Sequence, residues 1–121
     1  MPGKSILIVD DSPLISEKLR LMLKPMKNIE TVGNAGDYQL ALRWITENRP
    51  DIVLLDINLP GRSGIDLLQY IKTHDPGIVV IMLTNQSGEY YRAKCKALGA
   101  DFFMDKSREY DQVPAIISSI L

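Results

Sequence analysis

Apolar residues gather in short unbroken runs, and between the runs they recur every three or four positions. Ser5-Ile6-Leu7-Ile8-Val9, Ile52-Val53-Leu54-Leu55 and Ile78-Val79-Val80-Ile81-Met82-Leu83 are branched and uninterrupted. Such runs read as strands covered on both faces, the habit of parallel sheets. Asp101 to Asp105 is a further short strand, and Glu30 to Asn34, shorter and more polar, suits a sheet edge. Helical spacing appears in Ile15, Leu19, Met22 and Leu23, with Ser12 as N-cap and Pro13 at the first helical position. Pro25 closes that segment. A second helix, capped by Asp37, buries Tyr38, Ala41, Leu42 and Ile45, carries Trp44 at its margin and ends at Arg49-Pro50. Ile65, Leu68 and Ile71 mark a third, followed by a turn at His74-Asp75-Pro76-Gly77. For the fourth, the pattern selects Tyr90, Ala93, Ala97 and Leu98 as the inner face, with Gly99 as the stop. Val113, Ile116, Ile117 and Ile120 give the fifth, with Pro114 tolerated in its first turn.

Strand and helix therefore alternate five times, which predicts an α/β fold: a parallel sheet with helices on both faces. Right-handed connections bring the carboxyl ends of all the strands to one edge, where open α/β sheets bind ligands. Asp10, Asp11, Asp56, Thr84 and Lys106 each fall at or just past such an end. Each residue alone has an ordinary use as a cap or turn residue. Their convergence on one edge is what marks a site.

Composition narrows the setting. A chain of 121 residues with 45% hydrophobic and 24% charged residues fits one globular domain over its full length. The net charge of -1 gives no reason to expect nucleic-acid binding by this domain. The apolar runs are too short to cross a bilayer, and no secretory signal is visible. Cys95 is the lone cysteine, so no internal disulfide forms, and a reducing, cytoplasmic compartment is expected. Because the sequence stops just after its last amphipathic segment, no output domain is expected within it.

Three carboxylates at one crevice need a cation, because two like charges ~4 Å apart repel by about 4 kcal/mol at an effective dielectric of ~20. An all-oxygen set without His or Cys favours a hard ion, Mg²⁺ or Mn²⁺. Asp10, Asp11 and Asp56 supply it, with the Asn58 backbone carbonyl as a further ligand. With Lys106 as a second positive charge and Thr84 as a hydroxyl, Asp56 becomes a nucleophile able to accept a phosphoryl group.

The combination of Asp10-Asp11, Asp56 within DIVLLDINLPGRSG, Thr84 after IVVIML and Lys106 within GADFFMDKS resembles the receiver domain of two-component response regulators. The resemblance covers the chain from Ile6 to Leu121. It implies a flavodoxin-like sheet of order 2-1-3-4-5. It further implies phosphorylation of Asp56 by a histidine kinase or phosphotransfer protein, with Asp10 and Asp11 as metal pair, Asn58 as carbonyl ligand and Lys106 on the phosphate. Thr84 matches the switch hydroxyl and Phe103 the switch aromatic. The remodelled face, made by the fourth helix, last strand and last helix, would include Arg92, Lys94 and parts of Tyr90-Tyr91 and Phe102-Phe103. Expected partners are therefore the phosphodonor, a downstream protein or fused output domain, and a second phosphorylated copy. The alternative is the N-terminal receiver fragment of a DNA-binding transcriptional regulator.

Two positions depart from the family pattern. Ser107 stands where the family usually has a proline joined through a cis bond. A cis non-prolyl bond costs about 2.5–4 kcal/mol, which favours trans here. Asn85 stands where a small residue is common and is expected to narrow access to Asp56, slowing phosphoryl exchange or hydrolysis. Gln86 and Asn58 are candidates to orient attacking water. A small Mg²⁺-dependent phosphohydrolase would need a general acid two residues beyond its nucleophile, where Asn58 stands. A nucleotide binder would need a Gly-rich loop after the first strand, and none is present. His74 reads as a solvated turn residue and Cys95 as a surface thiol facing away from the apolar stripe.

Overall fold

A computed structural model describes residues 3–121. Its strands are β1 (Lys4–Val9), β2 (Ile29–Ala35), β3 (Ile52–Leu55), β4 (Val79–Thr84) and β5 (Phe102–Asp105). They form one parallel sheet in the order β2-β1-β3-β4-β5, as expected of a flavodoxin-like fold. The helices are α1 (Pro13–Leu23), α2 (Tyr38–Asn48), α3 (Gly64–His74), α4 (Glu89–Ala97), the single turn α5 (Lys106–Glu109) and α6 (Val113–Ile120). A 3-10 turn, Tyr110–Gln112, joins the last two, so the expected fifth helix, with Pro114 in its first turn, is α6, and two unexpected turns beginning at Lys106 precede it.

Strand alternation divides the core in two. Leu7, Val9, Val53, Leu55, Val80 and Met82 face α2, α3 and α4 and pack with Ala41, Leu67 and Cys95. Ile6, Ile8, Ile52, Leu54, Ile81 and Leu83 face the other way, onto Leu19 and Leu23 of α1 and Val113 and Ile117 of α6. The period of two sends neighbouring side chains to opposite faces, and helices cover both, so the sequence reads as a continuous apolar run.

Caps fix the helix starts. Ser12 accepts from the Ile15 N–H at 3.3 Å and Asp37 from the Leu40 N–H at 2.8 Å. Helix α2 ends in Arg49 at φ 46°, a left-handed conformation unusual for a residue with a side chain. Its guanidinium closes onto Asp75 at 2.9 Å, tying the ends of α2 and α3 together.

The fourth helix corrects the sequence reading. Tyr90, Ala93 and Ala97 are exposed, whereas Cys95 is fully buried, with Tyr91 and Leu98 half-buried beside it. The inner face is 91, 95 and 98, so of the expected stripe Leu98 faces inward and the other three positions do not. Alanine sits comfortably on either face, so Ala93 and Ala97 carried little information, while free cysteine is among the most buried residue types. Burial raises the Cys95 thiol pKa, with Lys94 opposing it weakly. The thiol is a core group and not the surface thiol expected.

Trp44, at the margin of the α2 stripe, is half-buried and packs against the core at the edge of the sheet. A Cβ added to Gly33 would lie 2.6–2.8 Å from the indole atoms. Gly33→Ala is therefore expected to destabilise the fold by about 1–3 kcal/mol, as overpacking does. Urea titration checks this, and an unchanged midpoint would show that Trp44 moves aside freely.

Candidate phosphoacceptor site

Parallel register brings the site together. Val9 pairs with Leu55, and the Asp56 N–H donates to the Val9 carbonyl at 3.0 Å, which sets Asp10 and Asp56 level past the ends of β1 and β3. Leu55 pairs with Met82, so Thr84 stands one residue further along the edge than Asp56, beside Asp105 on β5. Lys106 follows at once and reaches back over the edge.

The carboxylates of Asp10, Asp11 and Asp56 present oxygens within 4.8 Å of one another. Asp10 and Asp56 are buried and Asp11 is exposed. The Lys106 ammonium lies between the buried pair, 2.9 Å from Asp10 Oδ2 and 2.7 Å from Asp56 Oδ2. Asp10 Oδ1 also accepts from the Ser12 N–H at 2.8 Å. Asp56 Oδ1 meets only a long contact from the Asn58 N–H, 3.4 Å, and is the more lightly held of its two oxygens. Burial raises the Asp10 pKa, partly offset by the hydrogen bonds from Lys106 and Ser12. Burial also works against the Lys106 charge, but its bonds to Asp56 and Asp10 outweigh it, and the pKa ends above the usual lysine value. The Lys106 ammonium is thus bonded to two of the three acids, Asp10 and Asp56, while Asp11 lies at the exposed rim.

Thr84 is wholly buried, and its Oγ1 accepts from the Gln86 N–H at 3.1 Å. Phe103 is half-buried under the Arg92 guanidinium, 4.9 Å from its ring centre. Of the residues expected on the remodelled face, Tyr90 is 67% exposed, while Tyr91, Phe102 and Phe103 are half-buried and packed against the core. His74, the last residue of α3, is exposed and stacks on Tyr70 at 4.1 Å. Lys106 keeps its reach with Ser107 following it, and the described peptide bonds are all trans.

Some positioning residues escaped the sequence reading. A Cβ on Gly64 would collide with the Asp56 carbonyl oxygen, and the Gly64 N–H donates to the Ile57 carbonyl at 2.8 Å. The start of α3 is thus pressed against the peptide that carries Asp56. Asp105 caps α5 through the N–H groups of Ser107 and Arg108, at 2.9 and 3.1 Å, and takes the Ser87 hydroxyl at 2.5 Å. The Ser87 bond, aided by those two N–H groups, holds the Asp105 carboxyl below the usual aspartate range. Its own N–H donates to Glu109 at 2.8 Å, a reciprocal cap resembling a capping box displaced by one residue. The carboxylate just before Lys106 was the available clue.

A family model described as the response regulator receiver domain matches residues 6–118. The chain belongs to the response regulator receiver family. Among curated relatives of this receiver domain, the response regulator UvrY of Escherichia coli is 30% identical over 96% of the chain and 53% of its own length. The probable transcriptional regulatory protein TcrX of Mycobacterium tuberculosis is 31% identical, over 97% of the chain and 49% of its own length. The receiver thus spans about half the length of these relatives. Among solved structures, a LuxR-family two-component response regulator from Aurantimonas sp. SI85-9A1 superposes with a TM-score of 0.88 at 29% identity. The match covers 98% of the receiver and 84% of that chain.

Proposed function

We propose that Asp56 accepts a phosphoryl group from the phosphohistidine of a sensor kinase or phosphotransfer protein, and that the chain passes this state on by protein contact. The observation that carries the reading is the Asp56 carboxylate itself: buried, held firmly through one oxygen only, and flanked by Lys106 and two further acids. A carboxylate oxygen of Asp56 attacks phosphorus as the bond to the donor imidazole breaks, and the imidazole leaves with the electron pair. Lys106 is placed to follow the charge onto the phosphoryl oxygens, and Thr84 has a hydroxyl to donate to them.

The donor set suits a hard divalent ion. Asp10, Asp11 and Asp56, with the Asn58 carbonyl, would hold Mg²⁺ or Mn²⁺, whose contribution is to neutralise charge on the transferring group. The acyl phosphate is labile, which suits a reversible signal in a cytoplasmic setting. Its output runs either to a separate protein or to an attached output domain. The second reading, the receiver portion of a transcriptional regulator, is favoured by relatives about twice as long.

Incubation with Mg²⁺ and acetyl phosphate, followed by intact-mass measurement, is expected to show one added phosphoryl group that is absent in Asp56→Asn. Uptake by that variant at the native level would place the acceptor elsewhere.

A further inference from the structure

Lys106 is flanked by two side chains that both hold the loop following Thr84. On one side, Asp105 Oδ2 accepts from the Ser87 hydroxyl at 2.5 Å. On the other, the Ser107 hydroxyl donates to Asn85 Oδ1 at 2.6 Å. Between the two anchored residues lies Gln86, whose N–H engages the Thr84 hydroxyl. Arg92 reinforces the same loop, donating from Nε to the Ser87 carbonyl at 3.2 Å and from Nη1 to the Phe103 carbonyl at 3.4 Å.

From this we infer that the Asp105–Ser87 and Ser107–Asn85 bonds form a paired clasp. The clasp couples the position of Lys106 to the freedom of Thr84, so these four residues restrain the loop that phosphoryl acceptance must open. The inference rests on the reading of Asp56 as acceptor and goes further, because it assigns the switch of this chain a mechanical partner in its own sequence. A serine after Lys106 supplies the hydroxyl that reaches Asn85, which a proline lacks. Asn85 is drawn toward Ser107 at the rim and acts less as an obstruction than as the handle of the loop. While both bonds hold, the loop stays closed and the Gln86 N–H holds the Thr84 hydroxyl against its own loop. A shift of Lys106 onto a phosphoryl group pulls Asp105 and Ser107 with it, since they are its covalent neighbours. The loop then loosens at both ends and the Thr84 hydroxyl is free to turn its proton toward the phosphoryl oxygens.

The test compares the native chain with Ser87→Ala, Ser107→Ala, the double variant and Ser107→Thr. Two quantities are read: phosphoryl uptake from acetyl phosphate with Mg²⁺, and hydrogen exchange of the Gln86 amide without donor. Breaking the clasp is expected to speed uptake by about three- to tenfold in the double variant, the effect of one or two ordinary hydrogen bonds. Gln86 should exchange faster by a similar factor, and Ser107→Thr should restore native values because the hydroxyl is kept. A structural role alone would lower the melting temperature and leave uptake unchanged, overturning the proposal. Faster exchange with native uptake would overturn it as well, by showing that the bonds do not govern Thr84. Failure of the native chain to take up phosphate on Asp56 would defeat the acceptor reading and the clasp together. Native uptake with unresponsive variants would defeat the clasp alone.

Discussion

Gly64→Ala is expected to lower the rate of phosphoryl uptake by about 10², the penalty for misplacing a reacting group by around 1 Å. Helix propensity points the other way, since alanine is favoured over glycine by up to about 1 kcal/mol inside a helix. Contact decides the sign. The new methyl would occupy the space of the Asp56 carbonyl oxygen and press on Ile57, so either α3 backs away or the peptide carrying Asp56 turns. Overpacking of this kind costs about 1–3 kcal/mol, and here it falls on the peptide bearing the reacting carboxylate. Gly61, in the same loop, provides the control. Its φ is 84° with no neighbour within 4 Å of an added Cβ. Gly61→Ala is expected to cost about 1–2 kcal/mol of backbone strain and to leave uptake near native. Acetyl phosphate kinetics and urea titration on both variants separate the two effects. Equal loss of uptake in both would show that the loop acts through general softening and not through the contact on Asp56.

The parallel sheet and the meeting of Asp10, Asp11, Asp56 and Lys106 were legible because they follow from run length and from chain direction, whereas the strand order came from the family resemblance. Buried parallel strands announce themselves as Val, Ile and Leu without interruption, and right-handed crossovers put their ends on one edge. The phase of α4 was not legible. It lies near the edge of the sheet with most of its surface in solvent, so only Tyr91, Cys95 and Leu98 face inward, and two alanines blurred the period. The contact of Gly64 with Asp56 also left no periodic trace, since close approach of two backbones depends on tertiary geometry. The same holds for Ser87 with Asp105 and Ser107 with Asn85, which join residues 18 and 22 positions apart. Local spacing carries the fold, whereas the fine positioning of the site depends on loops whose meeting is decided by the strands beneath them.

Lys106→Met is expected to damage both stability and chemistry. The side chains of Asp10 and Asp56 are 4% and 5% exposed, and Lys106 is the cation bonded to both. Removing one partner from a buried ionic cluster costs about 3–5 kcal/mol, because the remaining charges are neither hydrated nor paired. Methionine fills similar space, so the loss reflects charge more than a cavity. Native Lys106 titrates above its ordinary value in the fold, so its contribution is complete below the unfolded lysine pKa and disappears only as pH rises through the raised value. The variant should behave differently in mild acid. With its cation gone, one buried carboxyl binds a proton more readily in the fold than in the unfolded chain, so stability should recover as pH falls from neutrality. Saturating Mg²⁺ should restore part of it at neutral pH by another route. Phosphoryl uptake should stay low even then, by about 10²–10³, because a hard ion at the three carboxylates does not replace the donor that follows charge onto the phosphoryl oxygens. Denaturation as a function of pH, with and without Mg²⁺, together with uptake kinetics, tests these outcomes separately. Native uptake in the Mg²⁺-loaded variant would reduce Lys106 to a counter-ion for Asp10 and Asp56. Stability that does not recover as pH falls would mean that the two carboxylates do not confront each other once the ammonium is removed.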